Sequence, residues 1–173
     1  LRAEIAAATA RPFPEATPII DGASAGGAAR DVRSPIDNHV IGRVTEADTT
    51  TAARAMAAAK AGFPVWNATP ARTRAAALRK AADLMEARRG LLLALLQAEA
   101  GKTLDDALSE VREAVDFCRY YAAEAEAKLA MPTALPGPTG EDNRLILRGR
   151  GAFLCIAPWN FPVTLSMWKV APA

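Results

Sequence analysis

The chain has 173 residues, 51% of them hydrophobic, and its 21 Lys and Arg against 19 Asp and Glu give a formal charge of +2. That length holds one ordinary domain with a real core, and the composition excludes wholesale disorder. Basic and acidic residues interleave, so no nucleic-acid footprint is present, and the longest aliphatic run, Leu91 to Leu96, is far short of the roughly 20 residues of a membrane-spanning helix. Cys118 and Cys155 lack CxxC spacing and His39 is the single histidine, so neither a metal site nor a disulfide framework is expected. The first residue is Leu1, and no cationic region followed by an apolar stretch reads as a signal peptide. The expectation is a soluble cytoplasmic protein, or a piece of one.

Residues 1 to 47 mix an alanine-rich start with Pro12, Pro14, Pro18, Pro35 and the Gly22 to Gly27 cluster. Short extended pieces at Pro18 to Ile20 and Val40 to Val44 fit between those turn signals, which predicts an irregular, β-rich wrapping segment. A helical part follows over 48–130. Asp48 can cap a helix running to Lys60, with Gly62 beyond its end. Thr69-Pro70 repeats the start signal, threonine as cap and proline at the first helical position, for a helix reaching Arg88-Arg89 with Gly90 as its stop. Leu91 to Ala98 predicts a buried helical piece ending near Gly101. Thr103 and Asp106 resemble a capping box with Asp in place of Glu or Gln. They open the longest periodic element, whose stripe is Leu104, Ala107, Leu108, Val111, Ala114, Val115, Cys118 and Ala122. Glu110, Glu113, Asp116 and Arg119 are assigned to its other side. Residues 131–151 comprise a loop, Met131 to Gly140, a strand from Asn143 to Arg148, and the turn Gly149-Arg150-Gly151.

The last stretch, 152–173, is the most specific. Phe153, Leu154 and Ile156 flank Cys155 in a run apolar enough for burial on both faces, the pattern of a central parallel strand in an α/β fold. Pro158 ends that strand, and Pro162 holds Phe161 extended and starts a helix from Val163 to Ala171. Trp159-Asn160-Phe161 then lies at the carboxyl end of a strand, where open α/β sheets bind ligands. A carboxamide fixed there serves as an oxyanion donor, an interaction whose loss costs about 3 kcal/mol of transition-state stabilisation. The alternative is that Asn160 only satisfies turn backbone.

Ile156 to Pro162 resembles the signature of the aldehyde dehydrogenase superfamily, and Glu99-Ala100-Gly101-Lys102 matches its Glu-x-Gly-Lys element. More narrowly, Ala68 to Pro70, Arg72 to Ala75, Ala81 to Glu86 and above all Glu110 to Ala122 resemble Δ1-pyrroline-5-carboxylate dehydrogenase, in the form found in bifunctional proline utilization A proteins. Pro18 to Gly22 and Ser34 to Asp37 agree. The resemblance implies an aldehyde dehydrogenase-like fold of which the N-terminal part is present: a helical layer, a flap strand and the first strand of a Rossmann-like sheet. It implies NAD-dependent oxidation of glutamate γ-semialdehyde to glutamate, in which a cysteine thiolate attacks the aldehyde. By position, Asn160 is the oxyanion donor, and Ile156, Ala157, Pro158 and Trp159 line the nicotinamide-ribose side of the cofactor cleft. Glu113 and Phe117 border the substrate tunnel; the alternative for Glu113 is a solvated helix face. The strand at 143–148 falls in an oligomerisation flap, so the full-length protein is expected to be a homo-oligomer.

The resemblance also implies features not found among these residues: the Lys-Pro-x-Glu segment, the general-base glutamate and the nucleophilic cysteine. Cys118, on a helix stripe, and Cys155, in a buried strand, are not candidates for that role. The chain is therefore expected to be an N-terminal fragment, inactive by itself. Residues 163–173 look more like the helix of general aldehyde dehydrogenases, betaine-aldehyde types included. That leaves another aldehyde as an alternative substrate, and a non-catalytic module associating with full-length subunits as an alternative role.

Overall fold

A computed structural model describes residues 1–173. The chain starts with a helix that the sequence reading lacks, α1 (Arg2–Thr9), followed by two antiparallel pairs, β1 (Ile19–Ile20) with β2 (Ala23–Ser24) and β3 (Ala28–Arg33) with β4 (Val40–Glu46). Asp21 and Gly22, at φ 51° and 77°, make the tight turn between β1 and β2, since two successive left-handed residues match the strands' twist. Half-buried Ile5 of α1 packs on the helical core, and Arg89 holds Glu4 at 2.9 Å. That guanidinium keeps the Glu4 carboxyl below its usual range.

The helical layer consists of α2 (Thr49–Ala68), α3 (Ala71–Ala87), α4 (Arg89–Ala100) and α5 (Leu104–Leu129). Asp48 caps α2 as expected, its Oδ1 accepting from the Thr51 N–H at 2.7 Å. The helix does not stop at Lys60 but runs through Gly62 and Pro64. Phe63 and Asn67 lie four apart on one face, both half-buried, and Asn67 Oδ1 accepts from the Gly149 N–H at 3.0 Å. The helix thus continues past two residues that are locally unfavourable to it, with its last turn tied to residue 149. Because α2 is longer, Thr69 closes it instead of capping α3: its hydroxyl donates to the Val65 carbonyl at 2.9 Å. Gly90, expected as a stop, lies inside α4. There a Cβ would stand 2.7 Å from Cβ of Glu4, so the glycine admits α1 rather than ending a helix.

Gly101 ends α4 in the left-handed conformation, φ 64°. Thr103 caps α5, accepting from the Asp106 N–H at 3.2 Å and donating its hydroxyl to Asp106 Oδ2 at 2.7 Å. The expected stripe faces inward. Leu93 and Leu96 of α4 meet Ala107 and Val111 of α5, and Ala82 of α3 meets Val115 and Cys118. Alanines at the α3–α5 crossing, Ala75, Ala82, Ala114 and Ala122, are fully buried, which lets the two backbones approach closely. Arg79 grips Glu126 through two bonds of 2.8 and 2.7 Å at the solvent edge of that crossing.

Two strand assignments change. The predicted loop at 131–140 contains β5 (Thr133–Leu135), which pairs antiparallel with β6 (Asn143–Leu145), and the second strand ends three residues early because its partner is only three residues long. Residues 152–156 form no strand. All three sheets are two-stranded and antiparallel, so the expected parallel strand has no neighbour to bond with. The predicted helix after Pro162 is present as α6 (Thr164–Val170), and the mixed α/β character holds.

Candidate active site

Two prolines with fixed φ bracket the turn at Trp159 to Phe161, which joins residues 152–158 to α6. The thiol of Cys155 donates to the Lys169 carbonyl at 3.5 Å, and the Lys169 ammonium contacts the Ile156 carbonyl. The incoming segment is thus tied to the helix it precedes. Ala157 and Pro158 are half-buried, Ile156 is exposed, and Trp159 is 82% exposed. Asn160 is exposed at the tip, and none of the hydrogen bonds that hold the turn uses its carboxamide.

The turn is held from behind by Glu110, expected on the side of α5 opposite the apolar stripe. Glu110 is only 2% exposed. Its Oε1 accepts from the backbone N–H groups of Val163 at 2.8 Å and Thr164 at 3.2 Å. Its Oε2 meets no partner except the Lys102 ammonium, 2.6 Å away. That ammonium also sits 4.2 Å from the centre of the Phe161 ring. A buried carboxylate is tolerable only when its oxygens are bonded, and two amide donors plus a cation achieve this.

The expectation for Glu110 is overturned, although its spacing carries a signal of burial. It falls three residues after Ala107 and four before Ala114, on the apolar stripe, and the basic residue that matches it precedes the helix at Lys102.

Glu113 and Phe117, the two substrate candidates, both face α6. Glu113 Oε2 accepts from the Thr164 hydroxyl at 3.0 Å, while Phe117 stacks on Trp168 with ring centres 5.9 Å apart and planes 14° from parallel. Neither cysteine has the surroundings of a nucleophile. Burial pushes the Cys118 thiol up, away from the nucleophilic thiolate, and Cys155 is half-buried. No group of three His, Cys, Asp or Glu side chains is placed to hold a metal ion, and no helix is long and apolar enough to cross a membrane.

A cleft opens beside the turn, lined by Leu92, Leu95, Leu96, Trp159, Pro162 and Val163. The arrangement can present a hydrogen-bond donor, Asn160, next to an apolar surface on a rigid base.

Comparison with known proteins converges on one family. The model described as "Aldehyde dehydrogenase family" matches residues 22–173. The bifunctional protein PutA of Escherichia coli is 36% identical over 160 residues, covering 92% of this chain and 11% of the relative. The 1-pyrroline-5-carboxylate dehydrogenase of Anoxybacillus flavithermus is 37% identical over 126 residues, covering 73% of this chain and 24% of the relative. The crystal structure of proline utilization A from Bdellovibrio bacteriovorus superposes with a TM-score of 0.91 at 32% identity, over 98% of this chain and 18% of that one. The chain therefore spans less than a quarter of the length of each.

Proposed function

The chain belongs to the aldehyde dehydrogenase family, and we propose that it supplies the oxyanion-stabilising turn and one wall of the cofactor cleft to an enzyme oxidising L-glutamate γ-semialdehyde to L-glutamate in proline catabolism. The observation that carries this reading is Asn160: an exposed carboxamide, free of turn bonds, between two prolines on a base fixed by α5. When a thiolate adds to an aldehyde, the carbonyl oxygen becomes an alkoxide. A carboxamide N–H already aimed at that oxygen stabilises the charge without reorganising. The names of the relatives, proline utilization A and pyrroline-carboxylate dehydrogenase, support the substrate.

The family generally uses NAD(P), and NAD is the proposed cofactor, whose nicotinamide accepts hydride. The donor set fits one edge of it: Ile156 and Trp159 offer uncovered apolar surface for the ring and ribose, backed by half-buried Ala157 and Pro158. Glu113 and Phe117 belong to the wall behind α6 that borders the aldehyde. The organisation proposed is a wrapping segment over 1–47, helical support over 48–130, an oligomerisation flap over 131–151 carrying the β5–β6 hairpin, and the cofactor segment over 152–173. The nucleophilic cysteine and the general base come from outside residues 1–173, so these residues alone do not turn over substrate.

Asn160→Ala in the complete enzyme tests the reading. The expected result is a fall in kcat of about 100- to 1,000-fold with little change in KM. An unchanged kcat overturns it. Steady-state kinetics on a panel of aldehydes tests the substrate, and preference for betaine aldehyde would replace glutamate γ-semialdehyde.

A further inference from the structure

We propose that Glu110, with Lys102 as its counter-ion, is the positioning residue for the Asn160 turn; the inference rests on the oxyanion reading of Asn160. Asn160 makes no bond that fixes its own direction, so its aim is inherited from its neighbours. Those neighbours are held by one buried pair. The Glu110 carboxylate takes the N–H groups three and four residues after Asn160, at 2.8 and 3.2 Å, and the Lys102 ammonium lies over the ring of the residue immediately after it, at 4.2 Å. Pro162, between these anchor points, has a fixed φ and no N–H, so the backbone from 161 to 164 has little freedom left. The Glu113 contact to the Thr164 hydroxyl, 3.0 Å, adds a third anchor from the same face of α5.

Charge is essential to this grip. A glutamine at 110 has the same shape, but one carbonyl oxygen cannot serve two amide N–H groups and an ammonium together. Its NH2 group would confront a donor, whichever way it is turned. The turn would then shift, and misplacing a catalytic group by about 1 Å can cost on the order of 100-fold in rate.

The experiment compares Glu110→Gln, Asn160→Ala and the double variant in the complete enzyme, with thermal unfolding to confirm that each folds. Glu110→Gln is expected to lower kcat at least about tenfold, with KM for aldehyde and cofactor nearly unchanged. The double variant should be no slower than Asn160→Ala by more than about twofold, because a residue acting through Asn160 has nothing left to position. A Glu110→Gln effect equally large in both backgrounds overturns the proposal, as does an unchanged kcat. Lys102→Gln is the second variant should Glu110→Gln fail to fold. It keeps both amide bonds, and a smaller kcat loss with the same non-additivity is expected. Amide NMR separates the two readings. If the Val163 and Thr164 N–H resonances move upfield in Glu110→Gln while Asn160→Ala leaves kcat intact, the oxyanion reading fails and the grip stands. If they do not move, the grip fails.

Discussion

Leu93 and Leu154 lie in runs of similar apolar character, yet Leu93 is fully buried between α4 and α5 whereas Leu154 is 74% exposed. The helices satisfy their own backbone bonds, and α3, α4 and α5 bury apolar faces on one another, with Ile5, Val163 and Met167 packed against them. Within residues 1–173, residues 152–156 meet no neighbouring strand, so their backbone makes no ladder here and Phe153, Leu154 and Ile156 are largely uncovered. An apolar helix needs only another helix face, while an apolar strand also needs a strand edge. Hydrophobicity therefore decides burial only where the required kind of partner is present.

The strongest way to break this contrast is to hollow out the helical side. Leu93→Ala should destabilise by about 2–5 kcal/mol in denaturant unfolding, since the site is closed on all sides. An effect below about 1 kcal/mol would place the core elsewhere. A smaller effect concerns the entry to the helical layer. The Thr51 N–H, and then its side chain, hold the Asp48 carboxyl below the usual aspartate range. The unfolded state then binds a proton more readily than the folded one. The cap's contribution is complete above the ordinary pKa of about 4 and is lost as pH falls through the lowered folded value. An NMR titration of the Thr51 amide should show a midpoint below that of free aspartate; a midpoint at or above it removes the cap. The smallest effect belongs to the uncovered side. Within the 173-residue chain, Leu154→Ser should change unfolding free energy by no more than about 0.5 kcal/mol while raising solubility. A loss as large as that of Leu93→Ala would show that residue 154 is covered after all.

Local signals in the sequence were dependable where the physics is local. Asp48, Thr103 and Gly101 bound helices because a capping oxygen or a left-handed glycine acts over a few residues. Signals failed where a distant contact decides. Gly62 reads as lying beyond the helix end, yet α2 runs on to Ala68 and Asn67 reaches Gly149. Ala28-Ala29-Arg30-Asp31 has weak strand propensity, yet it pairs with β4 along its whole length. The site divides in the same way. The Pro-Trp-Asn turn was legible because prolines and aromatics mark it. Its support was not, because Glu110 was classed by charge rather than by its place on the stripe.

The bonds from Glu110 to Val163 and Thr164 span 53 and 54 residues. A contact that distant closes a long loop, and its entropic cost is met only after α5 has formed and docked on α3 and α4. Order of assembly follows from this one carboxylate: the helical layer comes first, and the turn that bears Asn160 acquires a fixed direction last. A folding experiment should accordingly find α5 protected from hydrogen exchange before the amides of residues 163 and 164.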